Sequence, residues 1–249
     1  MMPLMAIDLT GARSKIERAN KHIRDFDTER VAFLGSNPYV VIAKFHAEGN
    51  ITESILGPLP KLPDSLALIA GDAAHSLRAA LDYLACELVR SAGGNPKNVY
   101  FPICESSEKY ITQSPGKTTG MPVSAKQIID QIEPYQGGHG EALWFLHTLD
   151  IADKHVVLVS VSTNIAKTVQ LQMTPELTEF SVLFSAPGLK EGAVLGEVSG
   201  NSEANQRINF TFDIAFGQSG RFEGEPVVET LTKLSDFVER IVNYFAGLF

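Results

Sequence analysis

The residues best suited to chemistry lie in one stretch, Gly71-Asp72-Ala73-Ala74-His75-Ser76-Leu77-Arg78-Ala79-Ala80-Leu81-Asp82-Tyr83-Leu84. The spacing predicts a helix. At about 100° per residue, Asp72, His75, Arg78 and Asp82 share an arc of about 120°. Leu66, Ala70, Ala73, Leu77, Leu81, Leu84 and Leu88 form the apolar stripe opposite. An imidazole exchanges protons near neutral pH, and a guanidinium grips phosphate or carboxylate with two prongs. The catalytic candidates are therefore His75 as acid/base, Arg78 as anion clamp and Asp72 as the carboxylate that orients the ring. Ala79 and Cys86 interleave with these charges, so the face is expected to be covered, and a covered charge needs a partner.

A second constellation follows in Trp144-Phe145-Leu146-His147-Thr148-Leu149-Asp150-Ile151-Ala152-Asp153-Lys154-His155. His147, Asp150 and Lys154 fall on one helix face at i, i+3 and i+7, with Asp153 at its edge and His155 at the helix end. Together with Asp82 these five are the binding candidates. Trp144 is the single tryptophan and suits either a pocket floor or the core. Two faces of short charged groups satisfy each other best, so His75, Arg78 and Asp82 are expected to approach His147, Asp150 or Lys154. The same residues also read as a buried ion-pair network, since structural networks and sites look alike in sequence.

Other motifs carry less. Gly116-Lys117-Thr118 ends like a phosphate-binding loop, but Ile111 stands where its first glycine is required. Gly137-Gly138-His139-Gly140 precedes a helix and reads as a flexible turn. There is no HExxH, no CxxC pair, no acidic calcium loop and no GxSxG elbow, so neither a metal nor a cofactor is assigned. Arg13, Lys15, Arg18, Lys21 and Arg24 give the first helix a basic side suited to solvent, to RNA or to an acidic partner.

These residues must be held by a fold. The 249-residue chain has a net charge of −8, which argues against a protein that simply coats nucleic acid. No apolar run reaches the roughly 20 residues of a membrane span, the start lacks the pattern of a signal peptide, and there are two cysteines; a cytoplasmic protein is the default expectation. Helices are predicted over about 10–34 and 64–92, with a short one capped by Ser124 and Gln127, another through 144–155 and a last one from Pro226. A hairpin is predicted around Glu48-Gly49-Asn50, residues 95–123 as mostly loop, and strands at 169–173, 180–184 and 208–216. The expected fold is α+β in a single domain, 1–249: helix-rich over 1–155, strand-rich over 156–222, with a C-terminal helix over 226–247. Four to five helices would pack on a largely antiparallel sheet that the early hairpin joins.

The pattern G-D-x-x-H-x-L-R-x-A-L-D-x-L at residues 71–84 resembles that of a family of bacterial proteins of unassigned function. The likeness extends to the helix opening at Ala12-Arg13-Ser14-Lys15-Ile16-Glu17-Arg18-Ala19, to Phe101-Pro102-Ile103, and to Leu149-Asp150 with Asp153-Lys154-His155. A weaker likeness is to HEPN ribonucleases, which are helical and carry an Arg-x(4–6)-His motif. Arg78 stands at their arginine, Tyr83 stands five residues on, and His75 precedes the arginine instead. That likeness implies RNA cleavage with His75 taking over the missing role.

Three readings follow. The first is an enzyme acting on a phosphate-containing substrate, RNA or a nucleotide. The second is a module that binds an anionic small molecule without chemistry. The third is a structural or interaction protein, with self-association left open.

Overall fold

The computed structural model describes residues 6–155, 161–171, 180–182, 189–199, 208–217 and 222–248. Its fold is α+β. Among the described residues there are six α-helices: α1 (Thr10–Gly35), α2 (Asp64–Ser91), α3 (Ser107–Lys117), α4 (Val123–Ile132), α5 (Glu141–His155) and α6 (Val227–Ala246). There are also six strands: β1 (Val41–His46), β2 (Ile51–Leu56), β3 (Val161–Leu171), β4 (Phe180–Val182), β5 (Val194–Ser199) and β6 (Ile208–Phe216). No helix among the described residues is long and apolar enough to cross a membrane.

The chain divides into two compact units, one of Met1–Phe26, Leu68–Val159 and Val228–Phe249, the other of Asp27–Ala67 and Ser160–Val227. The first unit is helical. Ala12, Ile16, Ala19, Ile23 and Phe26 bury one stripe of α1, and Leu231, Leu234, Val238, Ile241 and Phe245 bury one stripe of α6. Ser235 on α6 donates a 2.6 Å hydrogen bond to Asn20 on α1, which fixes their relative rotation. From Leu68 onward α2 is buried on most of its circumference, through Ala70, Ala73, Ala74, Leu77, Ala80, Leu81, Leu84, Ala85, Leu88 and Val89. Such burial identifies α2 as the central helix of this unit, and only a narrow strip of it stays open.

Two local expectations need correction here. Residues 107–117 are helical rather than loop. Ser106 caps the helix by accepting the Lys109 N–H, and buried Tyr110 anchors it with a 2.7 Å hydrogen bond to Asp130 on α4. Burial, Asp130's hydrogen bond and its charge together hold the Tyr110 phenol far above its usual range. The capping box at Ser124 does not form. Helix α4 starts two residues earlier, at Val123, with Pro122 at the cap position and no side-chain cap. Its end is as expected: Glu133 turns out of the helix at a φ of 52°, before Pro134.

In the second unit every strand pairing is antiparallel. One sheet has the order β1-β2-β5-β4 and the other pairs β3 with β6. The hairpin registers Val41 opposite Leu56 and His46 opposite Ile51. It joins the later strands through β2 and β5, a strand absent from the sequence reading. The expected strand over 169–173 is the end of the longer β3; Met173 and Phe184 lie outside the described residues. Leu56, Leu189 and Leu195 form a buried cluster backed by Ala193, Phe210 and Phe212. Tyr39 stacks on Phe212 at 4.3 Å, and Arg30 bridges Asp27 and Asp213.

Candidate functional site

The polar arc of α2 is divided between two environments. At about 100° per residue Arg78 lies about 120° round the helix from Asp72, with His75 midway between them. The Arg78 side reaches α5 and the chain at Phe101. The Asp72 side lines a cleft with α1.

The closed side is a clamp. Arg78 is 7% exposed. Its Nη1 donates to Asp82 Oδ1 at 2.5 Å, its Nη2 to the Phe101 carbonyl at 3.2 Å, and its Nε to His147 Nδ1 at 3.4 Å. Asp82 Oδ1 also accepts the Phe101 N–H at 2.9 Å. Asp82 therefore satisfies the N–H of Phe101, a fully buried residue, while Arg78 shares the Phe101 carbonyl with the Ile103 N–H, which donates to it at 2.9 Å. His147 packs edge-tilted on Trp144, with ring centroids 5.6 Å apart. Three of the five guanidinium N–H groups of Arg78 are committed, and its surroundings are closed. The two residues expected from sequence to clamp and bind an anion, Arg78 and Asp82, are here engaged with each other and with the backbone of Phe101.

His75 stands at the junction. Its Nδ1–H donates to Asp150 Oδ1 at 2.7 Å. The Asp150 side chain is 4% exposed while that of His75 is 45% exposed. A buried carboxylate backs an accessible imidazole, which fixes the ring and leaves Nε2 for the solvent side. The orienting carboxylate is therefore Asp150 and not Asp72, a correction that the second helix supplies. The two constellations do meet, through His75–Asp150 and Arg78–His147. The side chains of Asp153, Lys154 and His155 lie outside the described residues, although α5 runs to His155.

The open side is a cleft of about 430 Å³ lined by Gly11, Ser14, Lys15, Arg18 and His22 of α1 and by Asp72, His75, Ser76 and Tyr83 of α2. Each set recurs at helical spacing along one face, so the cleft is a groove between two helices. Arg18 Nε donates to His22 Nε2 at 2.9 Å. Burial, the largest influence, holds the His22 imidazole below its ordinary value of 6.5; Arg18 and Lys21 act in the same sense, against the carboxylates of Asp72 and Asp25. A neutral ring is what accepts the Arg18 hydrogen bond. That bond leaves the outer guanidinium edge open to the groove. Neither Arg18 nor Lys15 makes an ion pair with a carboxylate among the described residues. Lys15 lies over the Tyr83 ring, 6.0 Å from its centroid.

Sequence reasoning placed Lys15 and Arg18 on a general basic face and passed over His22 and Tyr83 as site residues. The signal was present as a spacing: 11, 15, 18 and 22 form one stripe of α1, and 72, 76 and 83 one stripe of α2. Nothing in the sequence said that these two stripes face each other. Among the described residues no three His, Cys, Asp or Glu side chains gather as a metal site. No protein-family model, curated protein or solved structure matches the chain.

Proposed function

We propose that the α1/α2 groove is the active site of an enzyme acting on phosphoesters, with RNA or a nucleotide as substrate. The observation that carries this reading is the imidazole of His75, backed by buried Asp150, in the same groove as Lys15 and Arg18, neither of which makes an ion pair with a carboxylate among the described residues. Arg18 and Lys15 take the anion-binding role, Arg18 through the planar edge that its His22 hydrogen bond leaves open. With Nδ1–H held by Asp150, Nε2 of neutral His75 is a lone-pair base that takes a proton from an attacking hydroxyl and returns it to the leaving oxygen. Phosphate charge that develops during transfer is stabilised by the cations already in place.

The test is a panel of RNA oligonucleotides and nucleotides offered to the wild type and to His75→Gln. The expected result is turnover by the wild type and a loss of about 10²–10⁴-fold in the variant, the usual scale of acid/base catalysis. Melting temperature should stay close to wild type, because the ring is half exposed. Binding without turnover in the wild type would leave a ligand-binding module. No binding by any panel member would end the reading.

A further inference from the structure

Tyr83 is half exposed on a helix that is otherwise mostly buried. It lines the groove, and its hydroxyl has no partner among the described residues. Opposite it stands Gly11 of α1. A Cβ added there would lie 2.5 Å from Tyr83 Cδ1 and 2.8 Å from Cε1. The absence of a side chain at Gly11 is thus what lets the ring lie against the backbone of α1. Lys15 sits over the same ring. An aromatic surface held in this way, beside a cation and open to the groove, has no core-filling role.

Tyr83 is eight residues beyond His75, a rise of about 12 Å along α2. One phosphate cannot contact both ends of such a groove. A ligand with a flat apolar group at one end and a phosphate at the other can. Aromatic side chains stack on nucleobases of any sequence, because every base offers a π-face.

We infer that Tyr83 is a base-stacking platform and that the groove takes a ligand carrying a nucleobase and a phosphate together. This rests on the phosphoester reading of the same groove and names the substrate class within it. The base takes the place over Tyr83 where the Lys15 ammonium now lies, Lys15 turns to the sugar-phosphate, and the phosphate reaches Arg18 and His75. A free nucleotide and a single-stranded RNA share this chemistry.

Calorimetric titration of the full chain tests the inference with four probes: inorganic phosphate, ribose 5-phosphate, adenosine 5′-monophosphate and an adenosine dinucleotide. The nucleotide is expected to bind about 5- to 100-fold more tightly than ribose 5-phosphate, the usual scale of one base stacked on an aromatic ring. Tyr83→Ala removes that margin and Tyr83→Phe keeps it. Gly11→Ala, which displaces the ring, weakens the base-bearing probes and spares ribose 5-phosphate. A dinucleotide that binds more tightly than the mononucleotide assigns the groove to an RNA strand, and equal binding assigns it to a free nucleotide. Nucleotide and ribose phosphate binding alike, or a margin that survives Tyr83→Ala, overturns the platform. The phosphoester reading then still stands if Arg18→Ala weakens every probe. Failure of all four probes to bind the wild type overturns both.

Discussion

Arg78 and Arg18 carry the same guanidinium into opposite surroundings. Arg78 is buried against Asp82, His147 and the Phe101 carbonyl. Arg18 is exposed, leans on a neutral imidazole and has no carboxylate partner among the described residues. The first has exchanged its water for protein acceptors and holds a segment of chain in place. The second keeps its charge available. The contrast teaches that a motif residue and a site residue are separated by what surrounds them. Arg78, the arginine within the sequence motif, is buried among protein partners, while Arg18, outside it, lines the groove.

Substitution of the buried arginine is expected to have the largest effect. Arg78→Ala removes a cation from a nearly closed environment and leaves Asp82 without its ion pair. The expected loss is ~3–5 kcal/mol of unfolding free energy, read by denaturant titration. Arg18→Ala is expected to change stability by less than about 0.5 kcal/mol, as for surface substitutions generally, while weakening phosphate binding. Similar stability losses in the two variants would erase the distinction drawn here.

Asp150→Asn sharpens the line between the two sides. It keeps the shape and an acceptor for His75 Nδ1–H but removes the buried charge behind the ring. Turnover should fall by about tenfold or more while stability changes by about 1 kcal/mol. A stability loss without a change in turnover would move His75 and Asp150 into the clamp.

The smallest effect concerns pH. The His22 pKa is lower in the folded protein than in the unfolded chain, so the folded state binds fewer protons as pH falls. The stability that neutral His22 contributes is complete above 6.5 and drains away as pH falls through the lower folded value. Unfolding titrations at pH 7.5 and pH 5.5 should show this slope in the wild type and a shallower one in His22→Gln. Equal slopes would remove His22 as the acceptor that tunes Arg18.

Much of the fold was legible in local spacing. The stripes of α1 and α6 and the hairpin around residues 47–50 follow from periodicity and turn chemistry, which need only neighbours in sequence. Helix α3 was not, because Pro115 and Gly116 argue against a helix while its anchor, Tyr110 to Asp130, lies 20 residues away. Strand β5 holds Gly196 in a short run, and its pairing with β2 links Ser54 to Gly196, a contact that no local pattern encodes. The site divides in the same way. That His75 would meet Asp150 was readable from two complementary faces. That Arg78 and Asp82 would clasp Phe101 was not, because a backbone carbonyl and N–H leave no mark in a side-chain pattern. Which edge of the polar arc would stay open depends on where α1 packs, and only the folded chain decides that.

Among the described residues, strand β1 is an outer strand of its sheet, and Val41, Ile42 and Phe45 are all exposed along it, next to exposed Val40. A row of unpaired backbone groups flanked by apolar side chains is a template on which another chain can add a strand. Lys44 stands on this strand, and His46 is paired with Glu53 across the hairpin. High salt screens the Lys44 ammonium, so strand addition at this edge is expected to be easier there than at low salt.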